Sequence, residues 1–284
     1  VSDRTITLSD VAERLGVHYM TVYRWVRTGR LPATKAGATW RVDPRDVDEL
    51  VAGRGAPDDD GPAPTSRPGS AGRPARMEAR LLAGDEPGSW AILEEALAAG
   101  AEPSTLYLDV LAPAMARIGD GWASGRVSVG EEHRASVVVL RLIGRLGPRF
   151  ARRGRTRGTV VLGAAPGDHH GVPVALAADL LRGAGFAVVD LGADTPASSF
   201  VDAAREADRL VGVGVSATRS GNQAAVAEVV EALHDQVGCP VVVGGQAVAA
   251  EAAGRSSGAD AVTGDALELI EAFSRLADDP RPAG

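Results

Sequence analysis

The chain has one cysteine, Cys239, and one lysine, Lys35, among its 284 residues. A lone thiol supports neither a disulfide framework nor a thiolate metal cluster, which fits a reducing cytoplasm. Every other basic residue is arginine, so a Walker-type phosphate loop, which needs lysine beside its glycines, is excluded. No run of about 18 apolar residues and no signal-peptide core occurs, so no membrane span is expected and a cytoplasmic location is. An excess of positive charge is also missing. Against 30 Lys and Arg stand 37 Asp and Glu, a formal net charge of −7, so any contact with DNA has to be local. This length predicts two or three domains.

What is present centres on the loop Gly167-Asp168-His169-His170-Gly171-Val172-Pro173. It follows the apolar run 159–165 and precedes a helical pattern, Val174 to Gly183. A continuous apolar run reads as a buried parallel strand, so the loop lies at the strand's carboxyl end, where open α/β sheets place ligands. An imidazole that ligates a metal usually gives its other N–H to a carboxylate. His170 with Asp168 fits that pattern, and a polar loop ending in a helix cap fits the same residues.

Residues 1–52 predict a winged helix-turn-helix. Ser9 reads as the N-cap of a helix from Asp10 to Leu15, with Gly16 as the left-handed stop. A second helix runs from about Tyr19 to Thr28, with Val22, Trp25 and Val26 facing the core and Met20, Arg24 and Arg27 facing out. Strand-like pieces at Ala33–Ala36 and Thr39–Val42 suggest a hairpin that carries Lys35 and Arg41 toward phosphates. Asp43-Pro44 then opens a closing helix. Met20, Thr21, Arg24, Arg27, Lys35 and Arg41 are the DNA-binding candidates. A three-helix interaction module would account for the same helices. The local charge is only +1, from eight basic and seven acidic residues, so tight binding to DNA calls for several linked heads.

Residues 53–75, rich in Gly, Pro, Ser and Asp, read as a flexible linker. Residues 76–150 predict a helical bundle with helices near Met77–Ala83, Trp90–Ala99, Ser104–Trp122 and Val129–Leu146. Leu108, Leu111, Met115, Ile118 and Trp122 recur at spacings of three and four as a buried stripe that Pro113 bends. On the fourth helix Glu132, Val139 and Ile143 line one edge of the apolar face, and His133, Val137 and Leu140 line the other. Trp122 as the end of a core stripe and Glu132 as a macrodipole partner are the structural alternatives. Residues 158–284 alternate apolar strands (Val160–Ala164, Ala187–Leu191, Leu210–Val215, Val241–Gly244, Ala261–Thr263) with amphipathic helices. That pattern predicts a doubly wound parallel sheet of Rossmann or flavodoxin type. The fold class is thus multidomain, α and α/β.

Several motifs resemble known families. Leu8-Ser9-Asp10-Val11-Ala12, Gly16-Val17, Thr21-Val22-Tyr23-Arg24-Trp25 and Gly29-Arg30-Leu31-Pro32 resemble the excisionase-like branch of the MerR superfamily, with His18 where a serine cap is common. Trp122, nine residues, then Glu132-His133 resembles the helical cap of CarH/LitR-type cobalamin photoreceptors. Asp168-His169-His170-Gly171-Val172-Pro173 resembles the Asp-x-His-x-x-Gly loop of base-off, histidine-on cobalamin domains, with Pro173 in place of the glycine. Ser216, with Thr218 where leucine is usual, and Gly244-Gly245 resemble the residues around the buried nucleotide tail.

The resemblance implies adenosylcobalamin as cofactor and His170 as lower cobalt ligand. Trp122, Glu132 and His133 then cover the adenosyl group, and Asp168, Gly171, Pro173, Ser216, Thr218, Gly244 and Gly245 complete the site. It also implies a homo-oligomer, a tetramer in the dark, that binds a double-stranded operator as a repressor and comes apart in light. Ala123 stands where that family has a histidine able to ligate cobalt after photolysis, which leaves His133 as the nearby imidazole. The alternatives are a light-independent cobalamin-sensing regulator, a corrinoid methyl-carrier protein, and a scaffold without cofactor. A non-enzymatic regulator is the expectation.

Overall fold

A computed structural model describes residues 5–15, 22, 25–26, 30–36, 39–52, 72–152, 154–219, 221–249 and 257–278. The chain divides into two compact units, 1–71 and 72–284.

In the first unit, β1 (Ile6–Thr7) leads into α1 (Leu8–Leu15), and β2 (Thr34–Ala36) and β3 (Thr39–Val42) form a hairpin before α2 (Pro44–Ala52). The strand order is β1-β3-β2, all antiparallel. Sequence periodicity missed β1, a two-residue strand too short to show alternation. The N-cap assignment needs correction. Thr7, not Ser9, caps α1: its Oγ1 accepts from the Asp10 N–H at 3.2 Å while the Asp10 carboxylate accepts the Thr7 N–H at 2.8 Å, a reciprocal capping box. Asp43 caps α2 as expected, its Oδ1 accepting the Arg45 N–H at 2.9 Å. Leu8, Val11, Val22, Trp25, Leu31, Val42 and Val47 are buried.

The second unit holds the bundle and the sheet. The helices are α3 (Arg73–Ala83), α4 (Glu86–Ala98), α5 (Pro103–Leu106), α6 (Ala112–Ala123) and α7 (Val129–Leu146), with a π turn at Tyr107–Leu111 between α5 and α6. α3 begins at Arg73, inside the segment read as linker. It ends on Gly84, left-handed at φ 71°, whose N–H reaches the Arg80 and Leu81 carbonyls. The expected bend at Pro113 takes the form of this π turn. Proline has no N–H to bond the carbonyl four residues back, and the preceding N–H of Ala112 reaches the Tyr107 carbonyl instead. Ser128 and Glu131 close a capping box on α7.

Strands β4 (Thr159–Ala164), β5 (Ala187–Asp190), β6 (Leu210–Ser216), β7 (Val241–Gly244) and β8 (Ala261–Thr263) make a parallel sheet of order β5-β4-β6-β7-β8. Helices α8 (Gly171–Gly183), α9 (Ala197–Glu206), α10 (Gln223–Gln236), α11 (Gln246–Ala249) and α12 (Ala266–Asp278) intervene or follow. Sheet order reverses at β4, so the crevice above its carboxyl end is the switch point where this architecture binds ligands.

α8 is shared by two cores. Val172, Leu176 and Leu180 belong to the bundle's apolar cluster, while Val174, Ala178 and Leu181 pack on the sheet. Its middle is pinned by a buried polar contact: the Tyr107 hydroxyl donates to Asp179 Oδ2 at 2.7 Å, and Arg182 donates to the other oxygen at 2.8 Å. Burial and the hydrogen bond to Asp179 push the Tyr107 phenol far above its ordinary range.

Tyr107→Phe removes one of the two donors to this buried carboxylate, at a cost of about 1–2 kcal/mol. Urea unfolding monitored by circular dichroism is expected to show the midpoint falling at unchanged m-value.

Candidate functional site

The loop after β4 delivers Asp168 and His170 to the crevice. Asp168 is fully buried, and its carboxylate accepts four hydrogen bonds. Oδ1 receives the His170 N–H at 3.1 Å and lies 2.6 Å from His170 Nδ1; Oδ2 receives the N–H groups of Thr218 at 2.6 Å and Arg219 at 3.2 Å. Burial pushes the Asp168 carboxyl up, but the donors outweigh it and hold it at about 2. The same hydrogen bond raises the His170 imidazole, against the opposing effect of burial, and the Glu132 carboxylate adds to the rise. With Nδ1 engaged and the side chain 44% exposed, the free ring atom of His170 is Nε2.

His170 is also the N-cap of α8, but its side chain caps nothing, being committed to Asp168. Gly171 and Pro173 fall in the first turn of α8, where a missing N–H costs no helical hydrogen bond. His169 points elsewhere, 3.8 Å from Asp194 and 77% exposed. Ser216 ends β6 opposite Ala164 and Gly244. Gly245 has φ 116°, and a Cβ there would lie 2.4 Å from the Ala217 carbonyl oxygen, so only glycine lets the turns after β6 and β7 close together.

From the bundle, α7 packs on α8 and brings Glu132 within electrostatic range of His170. Glu132 is half-buried, held by Ser136 at 2.7 Å and paired with His133 Nδ1 at 2.8 Å. Two core assignments need correction. Trp122 is 50% exposed: Val127 packs on Gly121 and seals the end of the core in its place. Val137 and Leu140 are also exposed, with His133, because the buried side of α7 runs through Ala135, Val138, Val139, Leu142 and Ile143. Of the head candidates, Met20, Thr21, Arg24 and Arg27 lie outside the described residues. Lys35 and Arg41 fall in β2 and β3, with Arg41 half-buried.

Sequence reasoning missed Thr218 and Arg219 as backbone donors, and backbone roles leave no residue-type signal. It also missed Asp194, whose Oδ1 accepts the Gly167 N–H at 2.7 Å and whose N–H donates to the Asp168 carbonyl at 2.8 Å. Its φ of 51° suits aspartate better than most residues.

No group of three or more His, Cys, Asp or Glu able to hold a metal occurs among the described residues. One imidazole therefore fits a metal that arrives with most of its donors, as in a macrocycle. Asn222 Nδ2, buried without a partner, is a donor available to such a group.

Residues 75–146 and 158–274 each match the B12 binding domain families, and residues 5–55 match a helix-turn-helix domain. The HTH-type transcriptional repressor CarH of Myxococcus xanthus is 34% identical over 69% of this chain and 63% of its own. The dimethylamine corrinoid protein of Methanosarcina barkeri is 31% identical over 62% of this chain and 84% of its own. Trimethylamine corrinoid protein 1 of Methanosarcina acetivorans is 33% identical over 40% of this chain. The chain spans about half the length (55%) of that relative. The solved Methanosarcina barkeri monomethylamine corrinoid protein superposes with a TM-score of 0.62 at 20% identity, covering 70% of this chain and 96% of that one, a likeness of fold.

The His170–Asp168 pair gives the apo chain a signed pH dependence. The folded-state rise at His170 contributes stability that is full below its unfolded pKa, about 6.5, and lost as pH climbs through the higher folded value. The depressed Asp168 contributes above about 3.8 and fails as pH falls through about 2. Thermal melts at pH 5.5 and 8.5 are expected to show wild type exceeding His170→Asn by more at the lower pH.

Two B12-binding matches in tandem, a corrinoid relative covered over most of its length, and a carboxylate-backed imidazole at the switch point place this chain in the B12-binding family.

Proposed function

We propose that the chain is a cobalamin-dependent transcriptional regulator that holds adenosylcobalamin between the bundle and the sheet. The observation that carries this reading is the join of a helix-turn-helix match at 5–55 to a body whose exposed imidazole, backed by Asp168 at 2.6 Å, stands at the start of a helix shared with the bundle. The CarH relative is named a repressor and supports the regulatory reading. The corrinoid relatives support a carrier reading for the body alone, which leaves the head without a use.

In this reading neutral His170 would hold the cobalt through Nε2, with Asp168 fixing the tautomer. Gly171 and Pro173 shape the loop beneath the ring. Ser216, Thr218, Gly244 and Gly245 bound the slot for the nucleotide tail. Trp122, Glu132 and His133 would cover the adenosyl group. When bound, adenosylcobalamin supplies a cobalt–carbon bond that light can cleave. Trp122 and Glu132 would repack where that group is absent, and binding would shift assembly only by as much as it favours one arrangement. A homo-oligomer, tetrameric in darkness, multiplies weak heads on a double-stranded operator. The head is read as a winged helix-turn-helix that contacts DNA through Met20, Thr21, Arg24, Arg27, Lys35 and Arg41, and the protein as a cytoplasmic, non-enzymatic repressor. No helix among the described residues is long and apolar enough to cross a membrane. Ala123 favours a second reading, in which cobalamin rather than light is the signal.

Absorption spectra with parallel size-exclusion chromatography, on protein mixed with adenosylcobalamin in darkness and after green light, separate these readings. A histidine-on dark spectrum that changes together with assembly size supports the photoreceptor. Binding without a light-dependent change in size leaves the cofactor sensor. Wild-type binding equal to that of His170→Ala overturns the ligand assignment.

A further inference from the structure

The cofactor site does not use the most concentrated charge in the chain. Residues 141–157 contain seven arginines and no aspartate or glutamate, in a chain of net charge −7. The stretch spans the end of α7, the 3-10 turn Gly147–Phe150 and the irregular segment before β4. Arg141 pairs with Glu86 at 2.9 Å, and Arg145 stacks on Trp90 at 3.7 Å from the ring centroid. Arg149, Arg152 and Arg155 are exposed, and no side chain of the three has an ion pair or hydrogen bond to another described residue.

Described residues on either side of the exposed arginines are fastened to the body. Phe150 is buried against Tyr107, with ring centroids 4.7 Å apart. Arg157 donates to Asp278 at 2.8 Å and to Ser274 at 2.9 Å, over the Phe186 ring. Between these anchors the Thr156 carbonyl accepts from Arg209 at 3.1 Å, which brings another guanidinium to the strip. The carboxylate nearest to Arg209 in sequence is its neighbour Asp208. The strip borders the amino ends of β4 and β6. The cofactor loop lies at their carboxyl ends, about 20 Å away at 3.3 Å per residue.

We propose that Arg149, Arg152 and Arg155, with Arg209 beside them, are a second contact surface for duplex DNA, one that grips backbone phosphates independently of the helix-turn-helix head. Arginine presents a planar fork that matches phosphate oxygens, and anchored guanidinium groups without carboxylate partners give up no internal ion pair on binding. Phosphate contacts position a protein on DNA without reading sequence, which is the complement needed by a head of charge +1. The proposal rests on the DNA-binding reading of the head, but the surface lies on the other unit.

The test uses full-length protein and a short fluorescein-labelled duplex of scrambled sequence, with anisotropy titrations across a salt series. The triple variant Arg149→Gln, Arg152→Gln, Arg155→Gln is compared with Arg41→Gln in the head and with wild type. Each phosphate contact contributes about 0.9 to the slope of log K against log salt. The triple variant is therefore expected to flatten that slope by about 2 to 3 while its melting temperature and cobalamin spectrum stay at wild-type values. A wild-type slope in the triple variant, with a flattened slope in Arg41→Gln, overturns the surface and leaves the head reading intact. Absence of wild-type binding to any duplex overturns both. Altered assembly size in the triple variant at an unchanged slope also overturns the proposal and assigns the strip to an acidic face of a second copy.

Discussion

The body of this protein depends on one buried carboxylate. Asp168 has no solvent exposure and carries a charge that burial opposes. It stays ionised because four donors converge on it from two loops. A buried charge left unpaired is costly, so the loops after β4 and β6 close on each other wherever Asp168 is charged. The same contact turns the imidazole of His170 so that its remaining nitrogen faces out. Electrostatic satisfaction and ligand presentation are one arrangement.

Much of this was legible in the sequence, for identifiable reasons. Strands β7 and β8 and helix α7 begin and end where the apolar patterns do, because continuous runs and capping residues leave local marks. The Asp168–His170 pair was legible because both partners lie in one loop. Trp122 was misread as core: periodicity reports that a helix has an apolar face but not how far along its axis a neighbour covers it. Val137 and Leu140 failed for the same reason. Thr7 displaced Ser9 as cap because the reciprocal bond needs a carboxylate three residues on, which Thr7 has in Asp10 and Ser9, followed by Ala12 at that spacing, lacks. Tyr107 and Asp179 lie 72 residues apart, and no local pattern joins them.

The bundle and the sheet are a single unit because α8 has no surplus face. Its bundle side and sheet side are both apolar, and the polar residue between them, Asp179, is hydrogen-bonded by Tyr107 and Arg182. Family matches divide the body at about residue 150, while packing does not. The arginine-rich segment at that division is where a homology boundary and a structural seam differ. Phe150 and Arg157 stitch it to both sides.

A helix wedged between two cores has little freedom to tilt. His170, at the tip of such a helix, can offer its nitrogen along essentially one line. Trp122 and His133, exposed side chains of the bundle, are less closely held. Under the proposed cobalamin reading, a guest held there would meet a rigid floor and a pliable ceiling: tolerance toward different upper substituents would reside in the side chains of the bundle, and strictness about the lower bond in the backbone of the sheet domain.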